Sequence, residues 1–127
     1  MLCGVVMAFE IIFYRDRQGR EPVLEYIQAL DGKKDKDSRI NVNKIYDYLD
    51  FLSQVGTSAG EPYVKHLDGE ILELRPLRNR LLFAAWNGSG FIILHHFIKK
   101  TQKTPRREIE QAKRNLADYR ERSDLNE

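Results

Sequence analysis

The first half of the chain combines one short apolar run with two longer stretches of helical periodicity. Residues 9–14 are β-branched and aromatic, which predicts a strand. From Pro22 the apolar positions recur every three or four residues, which predicts a helix that ends at Gly32. The same spacing predicts a second helix over about residues 36–55, closed by a loop at residues 56–60. The pattern therefore indicates a strand followed by a helical hairpin.

The second half changes to the two-residue alternation of strands. Residues 71–75 (ILELR) alternate apolar and charged side chains, and residues 80–86 (RLLFAAW) continue as a second strand. An Asn-Gly pair follows, which is a strong hairpin signal. Residues 91–98 (FIILHHFI) are therefore expected to return as a third, antiparallel strand.

A last helix is predicted after a Thr-Pro pair. Thr104 is expected to cap it, Pro105 to take its first position, and the polar tail from Ser123 to be frayed. The predicted order is β-α-α-β-β-β-α, an α+β fold with a small antiparallel or mixed sheet of about four strands. Two N-terminal helices and one C-terminal helix are expected to pack against this sheet and to cover one of its faces.

Length and composition predict a single domain that spans residues 1–127. Hydrophobic residues make up 42% and charged residues 31%, and no apolar run is long enough to cross a membrane. A single cysteine, Cys3, excludes an intramolecular disulfide, and a reducing cytoplasm is expected. Residues 1–7 lack the basic start of a signal peptide, and Met7 is an alternative to Met1 as the native start, in which case this segment would lie upstream of it.

The charge is unevenly distributed although the net value is only +2. Residues 65–107 carry 9 basic and 3 acidic residues, a net charge of +6. The segments on either side, residues 1–64 and 108–127, each carry a net charge of −2. This asymmetry predicts an anionic partner for the central segment.

Strand alternation and antiparallel pairing predict where this positive charge gathers. Arg75, Arg80, His95, Phe97 and Lys99 are expected to converge on one exposed patch. Arginine binds phosphate with two parallel hydrogen bonds, an aromatic ring can stack on an unpaired base, and histidine can transfer protons near neutral pH. The patch therefore predicts RNA binding, with further contacts expected from Lys65, His66, Arg78, Lys100 and Lys103.

The residues do not favour a metal cofactor, and none is expected. His95 and His96 are neighbours on a predicted strand, so their side chains should point to opposite faces and cannot bind one ion together. RNA can be cleaved without a metal when a base activates the ribose 2′-hydroxyl, which then attacks the adjacent phosphate. Because Arg75 and Arg80 are expected to be exposed, an Arg75→Ala/Arg80→Ala variant is expected to stay soluble.

Three segments resemble one family of bacterial toxins. These are residues 70–75 (EILELR), 80–83 (RLLF) and 93–105 (ILHHFIKKTQKTP), and the match extends from Phe9 to about Tyr119. The sequence resembles the HigB-type toxins of the RelE/ParE superfamily, most of all their phage-derived branch. The resemblance implies a type II toxin–antitoxin system and an mRNA endoribonuclease that in many members depends on the ribosome. It also implies inhibition by a HigA-like helix-turn-helix antitoxin, with operator DNA bound only through that antitoxin.

The resemblance also assigns roles by motif position. Arg75 and Arg80 would stabilise the phosphate and the transition state, His95 or Lys99 would transfer protons, and Phe97 would hold a base. His96 departs from the family pattern, because a small residue is common at its position. Which histidine faces the substrate, and which group acts as acid or base, therefore stays open.

Two other functions remain compatible with the same residues. The ParE branch of the superfamily inhibits DNA gyrase and does not cleave RNA, and fold alone does not separate the two activities. A nucleic-acid-binding accessory protein without catalysis is the third possibility. The antitoxin is expected to cover the basic surface of residues 65–103.

Overall fold

The computed structural model describes residues 9–125, so the expectation for residues 1–7 lies outside the described residues. The described chain is an α+β fold with five strands and three helices. In chain order these are β1 (Glu10–Phe13), α1 (Pro22–Asp31), α2 (Lys36–Val55), β2 (Val64–Asp68), β3 (Ile71–Leu74), β4 (Asn79–Trp86), β5 (Gly90–Ile98) and α3 (Arg106–Leu125). A 3-10 turn at Gly56–Ala59 takes the place of the predicted loop.

The sheet has five strands, and the expectation of about four was wrong. Strand β2 was missed because its solvent-facing residues break the alternation, and its pairing with β3 shifts register between His66 and Asp68. The strand order is β1-β5-β4-β3-β2. Strands β2 to β5 form an antiparallel meander, and β1 pairs in parallel with β5. The sheet is therefore mixed.

Glycine is required where β1 and β5 start side by side. A Cβ atom on Gly90 would lie 2.2 Å from the backbone oxygen of Glu10, its partner in the register. No other residue fits this close approach of two backbones.

The helices cover both faces of the sheet, so the expectation of one covered face was wrong. Helices α1 and α2 bury Ile27, Ile45 and Leu52 against one face. Helix α3 buries Ala112 and Leu116 against the other. Strands β3 to β5 are almost continuously apolar and buried, which is the pattern of strands covered on both faces.

The ends of α3 differ from the prediction. The helix begins at Arg106, one residue after the predicted position, and the Thr104 hydroxyl donates to Glu73 Oε2 at 2.6 Å. The helix continues to Leu125, so the part of the tail that is described, residues 123–125, is helical.

Asp118 of α3 fixes this helix to the segment after β1. Its carboxylate accepts hydrogen bonds from Tyr14 Oη at 2.6 Å and from Arg17 Nε at 2.7 Å. Hydrogen bonds from Arg122, Tyr14 and Arg17 hold the pKa of Asp118 at about 2. No helix among residues 9–125 is long and apolar enough to cross a membrane.

Candidate functional site

Basic side chains gather at one end of the sheet, where β3, β4 and β5 meet the segment of residues 99–105. They line two adjoining hollows that share Arg80, Lys99 and Lys100. We call this set the basic cluster, and it consists of Lys65, Arg75, Arg78, Arg80, Lys99, Lys100 and Lys103. Seven of the ten residues predicted to act on RNA are thus brought together, and Phe97 lines the same hollow.

Arg80 is buried, and the prediction that it is exposed was wrong. The residue is 6% exposed, and its Nη1 donates to the backbone oxygens of Leu77 at 2.7 Å and Asn79 at 2.8 Å. Burial lowers the pKa of Arg80, and the nearby Arg75 lowers it further. The turn before β4 therefore holds this guanidinium in one orientation.

Arg75 follows β3 and lies beside Arg80, because the preceding Leu74 pairs with Leu81 in the antiparallel register. Its side chain is 23% exposed, so Arg75 is partly buried rather than exposed as predicted. Its Nε is buried and has no hydrogen-bond partner in the described chain. A buried N–H without a partner is rare in folded proteins, and a bound phosphate oxygen would satisfy it.

Glu73 lies beneath the two arginines and is 2% exposed. Its Oε1 lies 3.5 Å from Arg75 Nε and 3.9 Å from Arg80 Nε. The sequence shows this residue only as one of the charged positions of the ILELR strand. A carboxylate at an inward-facing strand position is the signal that could have singled it out.

The lysines of the basic cluster have no acidic partners. Within residues 9–125, no carboxylate lies within ion-pair distance of Lys65, Lys99, Lys100 or Lys103. Elsewhere the positive charges are mostly paired: Arg17 with Asp118, Arg20 with Glu25, and Arg106 with Asp68. Exposed cations of α2 such as Arg39 and Lys44 also lack an ion pair within residues 9–125, so what sets the basic cluster apart is that its unpaired lysines line shared hollows beside two arginines.

Phe97 is the cross-strand partner of Arg80 and packs partly against the core beneath α3. Its ring is nearly parallel to that of His95, with the centroids 6.3 Å apart. One part of the ring thus belongs to the core, and another part lines the hollow of the basic cluster.

His95 shares the sheet face of the basic cluster but does not line its hollows. The register shift between β4 and β5 leaves Leu94 as an extra residue, which turns both Leu94 and His95 toward α3. His95 Nε2 donates to Glu108 Oε1 at 2.7 Å, and Phe97 lies between this pair and the arginines. Glu108 was missed because the contact joins a strand to the first turn of a helix thirteen residues later.

His96 points to the opposite face, as the strand alternation predicted. Its ring stacks on Tyr26 with centroids 3.8 Å apart, and its Nε2 donates to Asn79 Oδ1 at 3.1 Å. Burial lowers the pKa of His96 to about 4. Of the two neighbouring histidines, only His95 lies on the face of the basic cluster.

His66 lies apart from the basic cluster. It is exposed on β2, and its Nε2 donates to the backbone oxygen of Gly69 at 2.8 Å, within the β2–β3 turn. Within residues 9–125 no group of three His, Cys, Asp or Glu side chains could hold a metal ion.

A wider hollow of about 490 Å³ lies between α1 and α3. Its polar lining is mostly bonded within the protein. Asn115 Nδ2 donates to the Leu94 oxygen, Gln111 Nε2 donates to Asn115 Oδ1, and the Tyr26 hydroxyl donates to Asn79 Oδ1. Few of these groups are left to bind a ligand.

Fold and site together define a small mixed-sheet α+β domain with an uncompensated cationic surface at one end of its sheet. The family model described as Phage derived protein Gp49-like (DUF891) matches residues 25–117, so the chain belongs to this family. The matched residues run from α1 into α3 and include the whole basic cluster. The family is associated with toxins of toxin–antitoxin systems of the RelE type. No curated protein matches the chain at a significant level.

Proposed function

We propose that this protein is the toxin of a type II toxin–antitoxin system, of the HigB type, and that it is a metal-independent mRNA endoribonuclease. The observation that carries the proposal is the basic cluster, in which unpaired lysines surround the buried Arg80 and the partly buried Arg75. Membership of the Gp49-like family supports the toxin assignment. A polyanion with accessible phosphates is the ligand that such a surface fits best.

The arginine pair suits the charge that develops during RNA cleavage. When the ribose 2′-hydroxyl attacks the adjacent phosphate, negative charge grows on the phosphoryl oxygens. Arg75 Nε has a free N–H, and Arg80 is held in place by two backbone oxygens. Donors that are already oriented stabilise this charge without rearranging during the reaction.

Two groups on the same sheet face can transfer protons. His95 donates its Nε2–H to Glu108, which leaves Nδ1 as the nitrogen able to accept a proton. Lys99 lines both hollows of the basic cluster and can donate to the leaving oxygen. Phe97 offers an aromatic surface next to Arg80 on which a base can stack.

The proposal includes the cellular setting. The substrate is mRNA, cleaved in the cytoplasm with dependence on the ribosome. The inhibitor is a HigA-like helix-turn-helix antitoxin that covers the surface of residues 65–103 and carries the operator-DNA binding of the complex. His66 remains a proposed peripheral RNA contact, since it lies on β2 one residue from Lys65.

The test is brief induced expression in a growing bacterium, with transcript 5′ ends mapped within minutes. The informative variant is Lys99→Ala/Lys100→Ala, since these lysines line the hollows and have no acidic partners. The matched control is Arg39→Ala/Lys44→Ala, which removes two exposed charges from α2. We expect new 5′ ends inside translated frames with the wild type and the control, and few or none with the lysine variant.

Two outcomes would contradict this proposal. Growth arrest with intact transcripts, together with inhibition of purified gyrase, would identify a ParE-like inhibitor. Salt-sensitive RNA binding without cleavage products, with or without ribosomes, would identify a binding protein. Thermal melting of each variant establishes that a loss of cleavage is not a loss of fold.

A further inference from the structure

Glu73 is a buried charge whose place in the fold needs explaining. Its neighbours Leu72 and Leu74 are apolar, and its cross-strand partner Leu82 is fully buried. Burying a carboxylate is costly unless nearby charges and hydrogen bonds compensate it, and an apolar residue would pack here at less cost. The carboxylate therefore has a role in arranging the groups that touch it.

The carboxylate holds the arginines without using up their donors. Its Oε1 lies 3.5 Å from Arg75 Nε and 3.9 Å from Arg80 Nε, both beyond good hydrogen-bond length. Two guanidinium groups side by side repel each other, and a negative charge beneath both opposes that repulsion. The Arg75 Nε–H thus stays in place and stays unbonded.

The second oxygen of the same carboxylate fixes the lysine-bearing segment. Thr104 Oγ1 donates to Glu73 Oε2 at 2.6 Å, near the end of the segment of residues 99–105. At the start of that segment the Lys99 backbone N donates to the Arg78 oxygen at 2.7 Å. One buried side chain therefore contacts both arginines and the segment that carries Lys99, Lys100 and Lys103.

We infer that Glu73 is the positioning residue of the basic cluster, which holds Arg75 and Arg80 side by side so that their N–H groups converge on one phosphate. The inference rests on the proposed ribonuclease function and adds a residue to its site. The positioning role predicts that the Glu73 charge affects RNA binding and turnover in opposite directions. A negative charge beneath the site weakens the attraction of a phosphate in the ground state, yet it keeps the donors aligned for the transition state.

The test substitutes Glu73→Gln, which keeps the shape and an acceptor for Thr104 but removes the charge. With a short RNA substrate, we expect kcat to fall about 100-fold and KM to stay the same or decrease by a few-fold. The control is Glu70→Gln, because Glu70 is an exposed carboxylate next to the same strand, bonded to Arg120 at 2.6 Å and 2.7 Å. The control should change neither constant.

A purely structural role gives a different result. In that case Glu73→Gln would weaken RNA binding and turnover together, and both would recover at lower temperature as the fold is restored. Thr104→Val is a second variant for the case that Glu73→Gln does not fold. It leaves the charge in place and frees the 99–105 segment, so KM should rise several-fold with a smaller change in kcat.

A measurement without RNA separates this inference from the proposed function. The NMR signals of the Nε–Hε groups of Arg75 and Arg80 report how ordered each guanidinium is. Inorganic phosphate is added as the probe in place of RNA. We expect these signals to show two ordered guanidinium groups in the wild type and two mobile ones in Glu73→Gln. Unchanged order in the variant overturns the inference. Lost order in a protein whose wild type cleaves no RNA upholds the positioning role and overturns the ribonuclease.

Discussion

Burial decides what each charged residue does in this protein. Arg80 is enclosed and bonded to two backbone oxygens, whereas Arg39 is exposed on α2, and the sequence did not reveal this difference in burial. Antiparallel pairing correctly placed Arg80 near Phe97, which the register shows to be its cross-strand partner. It could not show that the preceding turn folds back over the side chain, because that contact depends on the turn conformation.

The arginine pair should therefore respond unequally to truncation. Arg80→Ala leaves Glu73 with one cation fewer and removes the donor to two backbone oxygens, so we expect the free energy of unfolding to fall by about 2–4 kcal/mol. Arg75→Ala should cost about 1 kcal/mol, because its guanidinium is partly exposed and makes no short hydrogen bond to Glu73. Urea unfolding at pH 7 measures both values, and equal small losses would mean that Arg80 is not buried as described.

His96 should make stability depend on pH. Burial lowers its pKa in the folded protein from 6.5 to about 4. Between these two pH values the unfolded chain binds a proton at His96 and the folded protein does not. The contribution of His96 to the free energy of unfolding is therefore fully present above pH 6.5 and is lost as the pH falls toward 4. We expect this histidine to account for a loss of about 2–3 kcal/mol across that window.

The variant His96→Phe tests this directly. Phenylalanine can still stack on Tyr26, and Asn79 Oδ1 keeps its hydrogen bond from the Tyr26 hydroxyl. Urea unfolding at pH 7, 5.5 and 4.5 should show a smaller decline in the variant than in the wild type. A decline of the same size in both proteins would assign the pH dependence to other groups.

At the scale of elements, periodicity predicts well where one pattern extends over many residues. Helices α1 and α2 lie where the sequence predicted them, and the last three strands are offset by one residue at most. Strand β2 escaped prediction because it is short and on the sheet edge, and its bulge breaks the alternation. Periodicity reports which side of an element is apolar, but it does not report which sheet face the element covers. The placement of α3 opposite α1 and α2 was missed for this reason.

The turn between β3 and β4 stores backbone strain. Leu77 has a left-handed φ of 59°, which is unfavourable for a residue with a bulky side chain, and the residue is 44% exposed. Leu77→Gly should raise the free energy of unfolding by about 0.5–1 kcal/mol, since glycine adopts this conformation freely and the leucine is not part of the buried core.

The control for this turn is Asn87→Gly. Asn87 has a similar φ of 58° in the β4–β5 hairpin, and asparagine tolerates this region better than leucine does. Its gain should therefore be smaller, as measured by chemical denaturation of both variants. A loss of stability in Leu77→Gly would show that the leucine side chain makes a compensating contact.

At the scale of the whole molecule, the charge asymmetry seen in the sequence places positive charge at one end of the sheet. The central segment supplies the basic cluster, and its positive charge is concentrated where β3 and β5 end and β4 begins. The sequence could predict this convergence because antiparallel register follows from hairpin connections. It could not predict that His95 is drawn to Glu108, because that contact depends on the bulge and on the docking of α3.

This concentration of charge should set the salt dependence of RNA binding. Each phosphate neutralised on a single strand contributes about −0.7 to the slope of log K against log salt concentration. If the four unpaired lysines and the arginine pair each contact one phosphate, the slope should be about −4. A 2′-O-methyl oligonucleotide, which cannot undergo cleavage, allows fluorescence anisotropy to measure binding alone.

The variant Lys99→Ala/Lys100→Ala should make the slope less steep by about 1.4, whereas the control Arg39→Ala/Lys44→Ala should leave the slope unchanged. An equal reduction in both pairs would mean that RNA is held by the overall charge of the protein rather than by the basic cluster.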